Sequence, residues 1–583
     1  MEKLFDPRNG DVEDDASSTK KRSLRAIAGT LLGEISLGKL ALSCILLVLA
    51  PALLLGLAPL LITAWWAKAS DRFADLAGVG SALTLGLVAA VGWFGLRPLA
   101  RAVERSFWSL NSLAVQPFYA VGREALRHLA ERFLPTGAGQ HRRARLRAAT
   151  SLCAVLGACV IAACILAVVW PATRWSGGIA DLARPLHLVV PALANALTLM
   201  SLYLALASLA WGVADASMDQ PRDILDFDEA AAMARRWRVA HLSDIHMVGE
   251  RYGFRIESGR AGPRGNERLA LVLGRLAEIH ASDPLDAVLI TGDMTDAGRS
   301  SEWAEFLDAL ARHPALMERC FILPGNHDVN IVDRANPARL ELPGSSGKRL
   351  REMRALSAMV AVQGERVRVF DESRSQLGES LAQALEPMRI EIAAFADKGG
   401  LRAAMRLGAV WADAFPMALA PAEPDGLGIL LLNSNAQTHF SFTNALGLVP
   451  EEDIRSLLMV LGQYPRARWI VALHHHPVEY PGQAKAFSLR IGTALINGSR
   501  FVRKLQAQAH RVVVMHGHRH IDWIGHCGAL KIVSAPSPIM ETLDDGPTGF
   551  YIHTLAAAPN GSLALLAPLR VEIRPRTNGL AVD

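Results

Sequence analysis

Hydrophobic and polar positions divide the chain into two parts with different patterns. The first part contains four long stretches almost without charge, at about residues 40–66, 76–96, 149–172 and 186–213. An α-helix needs about 20 apolar residues to cross the hydrocarbon core of a bilayer, and each stretch reaches that length. We therefore predict an all-α transmembrane domain of about four helices over residues 39–214. The alternative interpretation is four buried helices of a soluble protein, which would require one fold to cover all of these uncharged surfaces.

The regions on either side of these stretches are polar. Residues 1–38 contain the mixed-charge segment DVEDDASSTKKR, which is typical of a solvated, disordered tail. Residues 215–236 have the composition of a charged linker. We expect no cleaved signal peptide, because the first apolar stretch is long and begins far from Met1.

The positions of lysine and arginine predict how the helices are oriented. Basic residues are frequent in the N-terminal tail and in the second connection, which ends with Arg142, Arg143, Arg145 and Arg147. Because basic loops stay in the cytoplasm, we expect a multi-pass protein of the inner (cytoplasmic) membrane, with the lipid bilayer as a partner. Everything after Ala214 would then be cytoplasmic. The second connection also has helical periodicity with arginines on its polar side, which fits either the membrane surface or packing on the rest of the protein.

From Trp237 onward the pattern changes to short apolar runs, each followed by polar residues. WRVAHL leads into DIH, DAVLIT into GD, CFILP into GNHD, WIVAL into HHHP, and RVVVM into GHRH. Segments between them, such as NERLALVLGRLAEIHA, have helical spacing. Alternating strands and helices predict a layered α/β fold, in which sites lie beyond the carboxyl ends of the strands.

The blocks DIH, GDMTD, GNHD, HHHP and GHRH, in this order, resemble the signature of the calcineurin-like metallophosphoesterase superfamily over residues 238–537. The resemblance implies a four-layer α/β/β/α sandwich, which we place at residues 237–575. It is strongest to the bacterial phosphodiesterase-like branch. The protein serine/threonine phosphatase branch typically has Arg-Gly-Asn-His-Glu where this chain has Pro324 to Asp328.

The resemblance also implies two divalent metal ions that polarise a phosphoryl group and activate a water as hydroxide. Nitrogen and oxygen ligands without thiolate make Mn, Fe, Zn, Co and Ni all suitable. In the family the histidine two places before the proline is a ligand, which selects His475, and strand alternation would turn His474 and His476 away. The ligands implied for the first ion are Asp244, His246, Asp293 and His520, and those for the second are Asp293, Asn326, His475 and His518.

Further roles follow from the same resemblance. His327 would stabilise developing charge or protonate the leaving oxygen, with Asp328 orienting it, although a structural histidine is the alternative. Arg519 would contact the substrate phosphate or face solvent. Residues 330–427 show helical spacing and no strand-like runs, so we expect a helical insertion. It would either cover the metal site and select the substrate or be a solvated decoration.

Composition narrows the classes of function. The net charge of +5 in 583 residues is small, and basic residues form no aromatic-interleaved face, so nucleic-acid binding is not expected. The six cysteines form no CxxC pair and no framework spacing, so nothing calls for an oxidising compartment.

Three functions remain. The first is a membrane-anchored, metal-dependent hydrolase of a phosphate ester, with a phosphodiester favoured. The second is a pyrophosphatase or phosphodiesterase acting on a lipid-linked or nucleotide-lipid substrate. The third is a membrane sensor or scaffold without catalysis, which should have lost metal ligands, whereas this chain keeps all of them.

Overall fold

A computed structural model describes most of the chain. The described residues are 37–75, 115, 118–133, 140–229, 234–249, 254–255, 260–261, 264–330, 345–436, 445–481, 495–539 and 547–574. They fall into two compact units that divide between Met218 and Asp219. We name them, after what the sequence predicts for each, the membrane unit and the catalytic unit. The tail and the apolar stretch predicted at residues 76–96 lie outside the described residues.

The membrane unit is all-helical where it is described. Its helices are α1 (Leu37–Cys44), a π turn (Ile45–Leu49), α2 (Ala50–Asp75), α3 (Val121–Glu131), α4 (Gln140–Val169), α5 (Ile179–Leu182) and α6 (Val189–Ala216). Three segments are long and apolar enough to cross a membrane: Ala50–Lys68, Arg142–Ala172 and Pro185–Ala216. They correspond to three of the four predicted stretches and suggest membrane association.

Small residues and one buried amide hold α2, α4 and α6 together. A Cβ on Gly56 would lie 1.7 Å from the carbonyl oxygen of Ala192, and one on Gly212 would lie 2.0 Å from a methyl group of Val155. Such close approach is typical of helix packing in membranes. The fully buried Asn195 donates to the carbonyls of Gly56 (3.1 Å) and Arg174 (2.6 Å). A buried amide needs these partners because water is absent there.

The catalytic unit contains two β-sheets. The first has the strand order β16-β15-β2-β5-β6, with β17 also paired to β15. Its strands are β2 (Arg236–Leu242), β5 (Ala287–Ile290), β6 (Cys320–Ile322), β15 (Thr548–Ala557), β16 (Leu563–Leu565) and β17 (Leu569–Ile573). Strands β2, β5 and β6 are parallel, so their carboxyl ends share one edge.

The second sheet has the order β1-β13-β14-β12-β11-β10-β9-β7-β8. Its strands are β1 (Arg222–Asp223), β7 (Arg368–Asp371), β8 (Gln376–Ser380), β9 (Met417–Leu419), β10 (Leu427–Leu431), β11 (Arg468–Ala472), β12 (Val512–His516), β13 (Trp523–Cys527) and β14 (Leu530–Ser534). Strands β10, β11, β12 and β14 are parallel. A separate short pair is formed by β3 (Phe254–Arg255) and β4 (Arg260–Ala261).

Helices complete the α/β fold, and one buried core runs through both sheets and their helices. The helices are α7 (Arg264–Ser282), α8 (Ser300–Ala311), α9 (Pro314–Met317), α10 (Asn326–Val329), α11 (Ser346–Gln363), α12 (Leu381–Leu385), α13 (Arg389–Lys398), α14 (Leu401–Asp413), α15 (Glu451–Gln463) and α16 (Gly498–Leu505). Several β-strand residues are fully buried, as their continuous apolar runs predicted.

Two segments differ from the sequence analysis. Residues 345–427 contain strands β7, β8 and β9, which extend the second sheet, so this segment is not helical throughout. The exposed side chains of Arg368 and Gln376 hide β7 and β8 from a hydrophobicity pattern, and β9 is buried but only three residues long. Within the expected linker, Arg222–Asp223 pairs with β13, so part of the linker belongs to the catalytic unit.

Candidate metal centre

The loops after the parallel strands carry an unusual backbone. Six non-glycine residues have positive φ in the described part of the chain, and five of them belong to the predicted metal site. This conformation is unfavourable for residues with a Cβ, and its clustering is typical of functional sites. The five residues, with φ between 49 and 80 degrees, are Asp244, His246, Asp293, His518 and His520.

A first cluster joins the loop after β2 to the loop after β12. The Nε2 atoms of His246 and His520 lie 3.2 Å apart, and Oδ1 of Asp244 lies 3.3 Å from His520 Nε2. Oδ2 of Asp293 lies 3.8 Å from His246 Nε2. The carboxylate of Asp244 and the imidazoles of His246 and His520 therefore converge at one point.

A second cluster shares Asp293 with the first. Oδ2 of Asp293 lies 3.2 Å from Nε2 of His474, and this nitrogen also lies 3.1 Å from Nδ1 of His518. The side-chain oxygen of Asn326 lies 3.1 Å from the same His474 nitrogen. Asp293 thus lies close to residues of both clusters.

The donor set fits divalent cations. Ring nitrogens lie about 3 Å from each other in both clusters, a separation that two ligand atoms of one metal ion can also have. Burial would raise the pKa of Asp244, but His520 and His474 hold that pKa at about 2. Burial would lower the pKa of His474, but Asp293 raises it to about 9. A positive charge is therefore favoured where the two carboxylates meet the imidazoles, and nitrogen and oxygen donors suit first-row divalent metals.

The structure brings His474, and not His475, into the second cluster. Strand β11 ends at Ala472, so the alternation on which the choice of His475 depended does not extend to the histidines. The chain bends at His474 and His475. Nδ1 of His475 instead lies 2.9 Å from the hydroxyl of Ser434, and a Cβ on Gly447 would lie 2.5 Å from its ring.

The third histidine of the tract is also buried. The ring of His476 stacks on Tyr480 (5.7 Å between centroids) and on His518 (6.0 Å). Its Nε2 lies 3.6 Å from a carboxylate oxygen of Glu479. His476 thus packs behind the ligand candidate His518 and joins neither cluster.

His327 is held by a residue other than the expected one. Its Nδ1 donates to the backbone carbonyl of Asp296 at 2.8 Å, and its ring meets His246 edge to face at 4.6 Å. The carboxylate of Asp328 instead accepts from the amides of Gly325 (2.8 Å) and Thr295 (2.9 Å). Asp328 therefore ties two site loops together, and burial and Asp293 raise its pKa to about 6.

Two residues that support the site, Asp296 and Ser434, were not predicted from the sequence. Oδ1 of Asp296 lies 3.4 Å from Nδ1 of His246, and the last position of GDMTD was the available signal. Ser434 accepts from the amides of His474 and His475, both at 3.1 Å, and nothing in its local sequence indicated this. Arg519 lies 3.4 Å from Glu479 and over the ring of Tyr480, so it does not extend freely into solvent.

Part of the catalytic unit matches a known protein family. Residues 238–373 match the family model described as calcineurin-like phosphoesterase, so the chain carries a calcineurin-like phosphoesterase domain over these residues. The resemblance stated from the sequence blocks is confirmed there, where DIH, GDMTD and GNHD lie.

Several solved structures match part of the chain. A protein described as a 5'-nucleotidase from Staphylococcus aureus matches with 12% identity and a TM-score of 0.31, over 58% of this chain and 55% of its own. A purple acid phosphatase from yellow lupin matches with 14% identity and a TM-score of 0.24, over 56% and 50%. This chain thus spans about half of each of these proteins.

A third structure, Vps29 from Entamoeba histolytica, matches with 11% identity and a TM-score of 0.20, over 58% of this chain and 99% of its own. No curated protein matches the chain significantly.

Proposed function

We propose that the protein is a membrane-anchored phosphodiesterase that uses two divalent ions. The observation that carries the proposal is Asp293, whose carboxylate faces His246 at 3.8 Å and His474 at 3.2 Å. One carboxylate between two clusters is the arrangement that a two-ion site requires. We assign Asp244, His246, Asp293 and His520 to one ion, and Asp293, Asn326, His474 and His518 to the other.

Bound ions would supply Lewis acidity and lower the pKa of a water near the phosphorus. The chain's own residues would orient the substrate and move protons. A ring nitrogen of His327 lies within 4.8 Å of ligand atoms of His246 and Asp293. Because its Nδ1 proton is held by the carbonyl of Asp296, its Nε2 is the atom that can deliver a proton to the leaving oxygen.

The charge around Arg519 supports a diester over a monoester. A phosphomonoester dianion needs more cationic partners than a diester monoanion. Arg519 is buried beside the site, but its guanidinium lies 3.4 Å from the carboxylate of Glu479, which offsets part of its charge. Such a site favours the less charged substrate.

Turnover of two model substrates tests the proposal. The purified full chain with Mn²⁺ should hydrolyse bis-p-nitrophenyl phosphate faster than p-nitrophenyl phosphate, and chelation should remove both activities. Protein that retains metal by elemental analysis yet turns over neither ester would contradict the enzyme and support the scaffold. Faster monoester hydrolysis would retain the enzyme and reject the diester preference.

The three apolar helices favour a second candidate, a substrate presented by the bilayer. A panel of cyclic nucleotides, lipid-linked pyrophosphates and phosphoprotein separates the two, because only the bilayer-presented class should need lipid for turnover. We also retain the proposal that the catalytic unit faces the cytoplasm, on the basis of the basic residues at the start of α4. Protease accessibility in sealed inverted membrane vesicles tests that orientation.

A further inference from the structure

Helix α3 has the reverse of the polarity expected for a helix on a water-soluble protein. Its charged residues Glu124 and Arg127 are buried, with 0% and 7% of their surfaces exposed. Its apolar residues Leu126 and Leu129 are 37% and 52% exposed, and Phe133, in the turn that follows the helix, is 88% exposed. Positions three apart share one face of a helix, so Leu126 and Leu129 form an outward apolar face, and the exposed Phe133 follows it at the helix end.

Charged residues on the buried side of α3 form ion pairs. Arg127 lies 3.1 Å from Glu131 and 3.6 Å from Glu124. Arg123 pairs with Glu124 at 2.9 Å and with Asp215 at the end of α6, and the hydroxyl of Tyr119 donates to Asp215 at 2.9 Å. The contacts of Arg123 and Tyr119 with Asp215 therefore connect α3 and the residues before it to α6. The charged residues point inward because they have partners there, which leaves the apolar residues on the outer face.

The surroundings of this face are also apolar. Helix α3 packs against α4, which exposes Leu152, Leu156 and Val160. The start of α4 carries Arg142 and Arg145, both exposed. Arg145 precedes Leu152 by seven residues, about two turns of α4, so the two side chains share one face of that helix. Apolar side chains below exposed arginines complement acyl chains below anionic headgroups, and they suit neither water nor a uniformly charged partner.

We propose that α3 is an interfacial helix that binds anionic lipid. Leu126, Leu129 and Phe133 contact acyl chains, and Arg142 and Arg145 contact headgroup phosphates. The proposal rests on membrane anchoring of the chain, which is part of the proposed function, and it adds a defined lipid-contact surface outside the spans.

Spin labels test the proposal in the full chain, reconstituted in nanodiscs of phosphatidylcholine and phosphatidylglycerol. Cys44, Cys153, Cys159 and Cys164 are replaced by alanine, and the buried Cys320 and Cys527 are left in place. Single cysteines are introduced by Leu129→Cys on α3, Leu156→Cys on α4 and Ile390→Cys on α13. Ile390 is the matched control, since it is an apolar residue 85% exposed on the catalytic unit.

The readout is the collision rate of each label with oxygen, which concentrates in acyl chains, and with a water-soluble nickel chelate. We expect the Leu129→Cys label to resemble that of Leu156→Cys, with a nickel collision rate about tenfold below that of Ile390→Cys. Charge-neutralising Arg142→Gln with Arg145→Gln should raise the nickel collision rate at position 129. No change at position 129 would overturn the assignment of the headgroup contact.

Other outcomes separate this proposal from membrane anchoring itself. A nickel-accessible label at 129 beside a protected label at 156 would overturn the lipid contact and leave anchoring intact. A label at 129 shielded from both reagents would mean that protein covers the face, such as a second copy of the chain, and would also overturn it. Nickel access at 156 would reject anchoring and the proposal together.

Discussion

Two buried polar clusters, one around Asn195 in the membrane unit and one around Asp293 in the catalytic unit, are arranged in opposite ways. Asn195 uses its amide nitrogen to donate and its oxygen to accept from Arg174, so donors meet acceptors. Around Asp293, ring nitrogens meet ring nitrogens. The cluster around Asn195 is complete without a ligand, and the cluster around Asp293 has the donor set of a cation site. Matched donors and acceptors thus indicate a structural role, whereas several imidazoles and carboxylates gathered at one point indicate a binding role.

The largest expected effect is at the shared carboxylate. Asp293→Asn removes the negative charge common to both clusters, so we expect loss of bound metal and a fall in diester turnover of about a thousandfold. Elemental analysis and steady-state kinetics measure the two quantities. The exposed Asp226→Asn is the control and should change neither. Near-normal metal content in Asp293→Asn would show that the clusters do not share a ligand.

The histidine tract gives the next largest effect. His474→Ala should lose one ion and lower turnover by about a hundredfold, because Nε2 of His474 lies within 3.2 Å of Asp293, Asn326 and His518. His475→Ala should keep both ions, since Nδ1 of His475 contacts Ser434. Equal metal loss in the two variants would contradict the assignment of His474. Loss in His475→Ala alone would restore the ligand first expected from the sequence.

These residues also show what sequence can predict here. The α/β order and most site positions were predictable because β-branched runs end directly before Asp244, Asp293 and Asn326. The choice between His474 and His475 was not, since it depends on where β11 ends and on Ser434, which is distant in sequence. Strands β7 and β8 were not predictable either, because few of their side chains are fully buried and no apolar run marks them.

His553 is the residue that best tests whether buried polar atoms without hydrogen-bond partners always indicate a binding role. It is 1% exposed and both of its ring nitrogens lack hydrogen-bond partners in the described part of the chain, yet it joins neither cluster. Burial lowers the pKa of His553 to about 4 from its usual 6.5. Between pH 6.5 and about pH 4, His553 therefore binds a proton in the unfolded chain but not in the folded chain.

Stability from this histidine is complete above pH 6.5 and is lost as the pH falls to about 4, a loss of about 3 kcal/mol. His553→Leu should remove this acid-dependent part of the unfolding free energy. Denaturant titrations at pH 7 and pH 5 measure it, with wild type as the reference. An unchanged acid dependence would contradict the lowered pKa of His553, and metal loss at pH 7 in His553→Leu would mean that His553 has a binding role.

The smallest effect tests the matched cluster. Asn195→Ala removes bonds to Gly56 and Arg174, so the membrane unit should lose about 1 kcal/mol of stability, since hydrogen bonds between membrane helices are individually weak. Thr198→Ala is the control: the residue is equally buried on the same helix, and its hydroxyl has no hydrogen-bond partner among the described residues. Thermal unfolding in detergent measures stability, and metal content and diester turnover should stay unchanged in both variants. A drop in turnover in Asn195→Ala at unchanged stability would show that even a fully matched polar cluster contributes to function, which would remove the distinction between the two units.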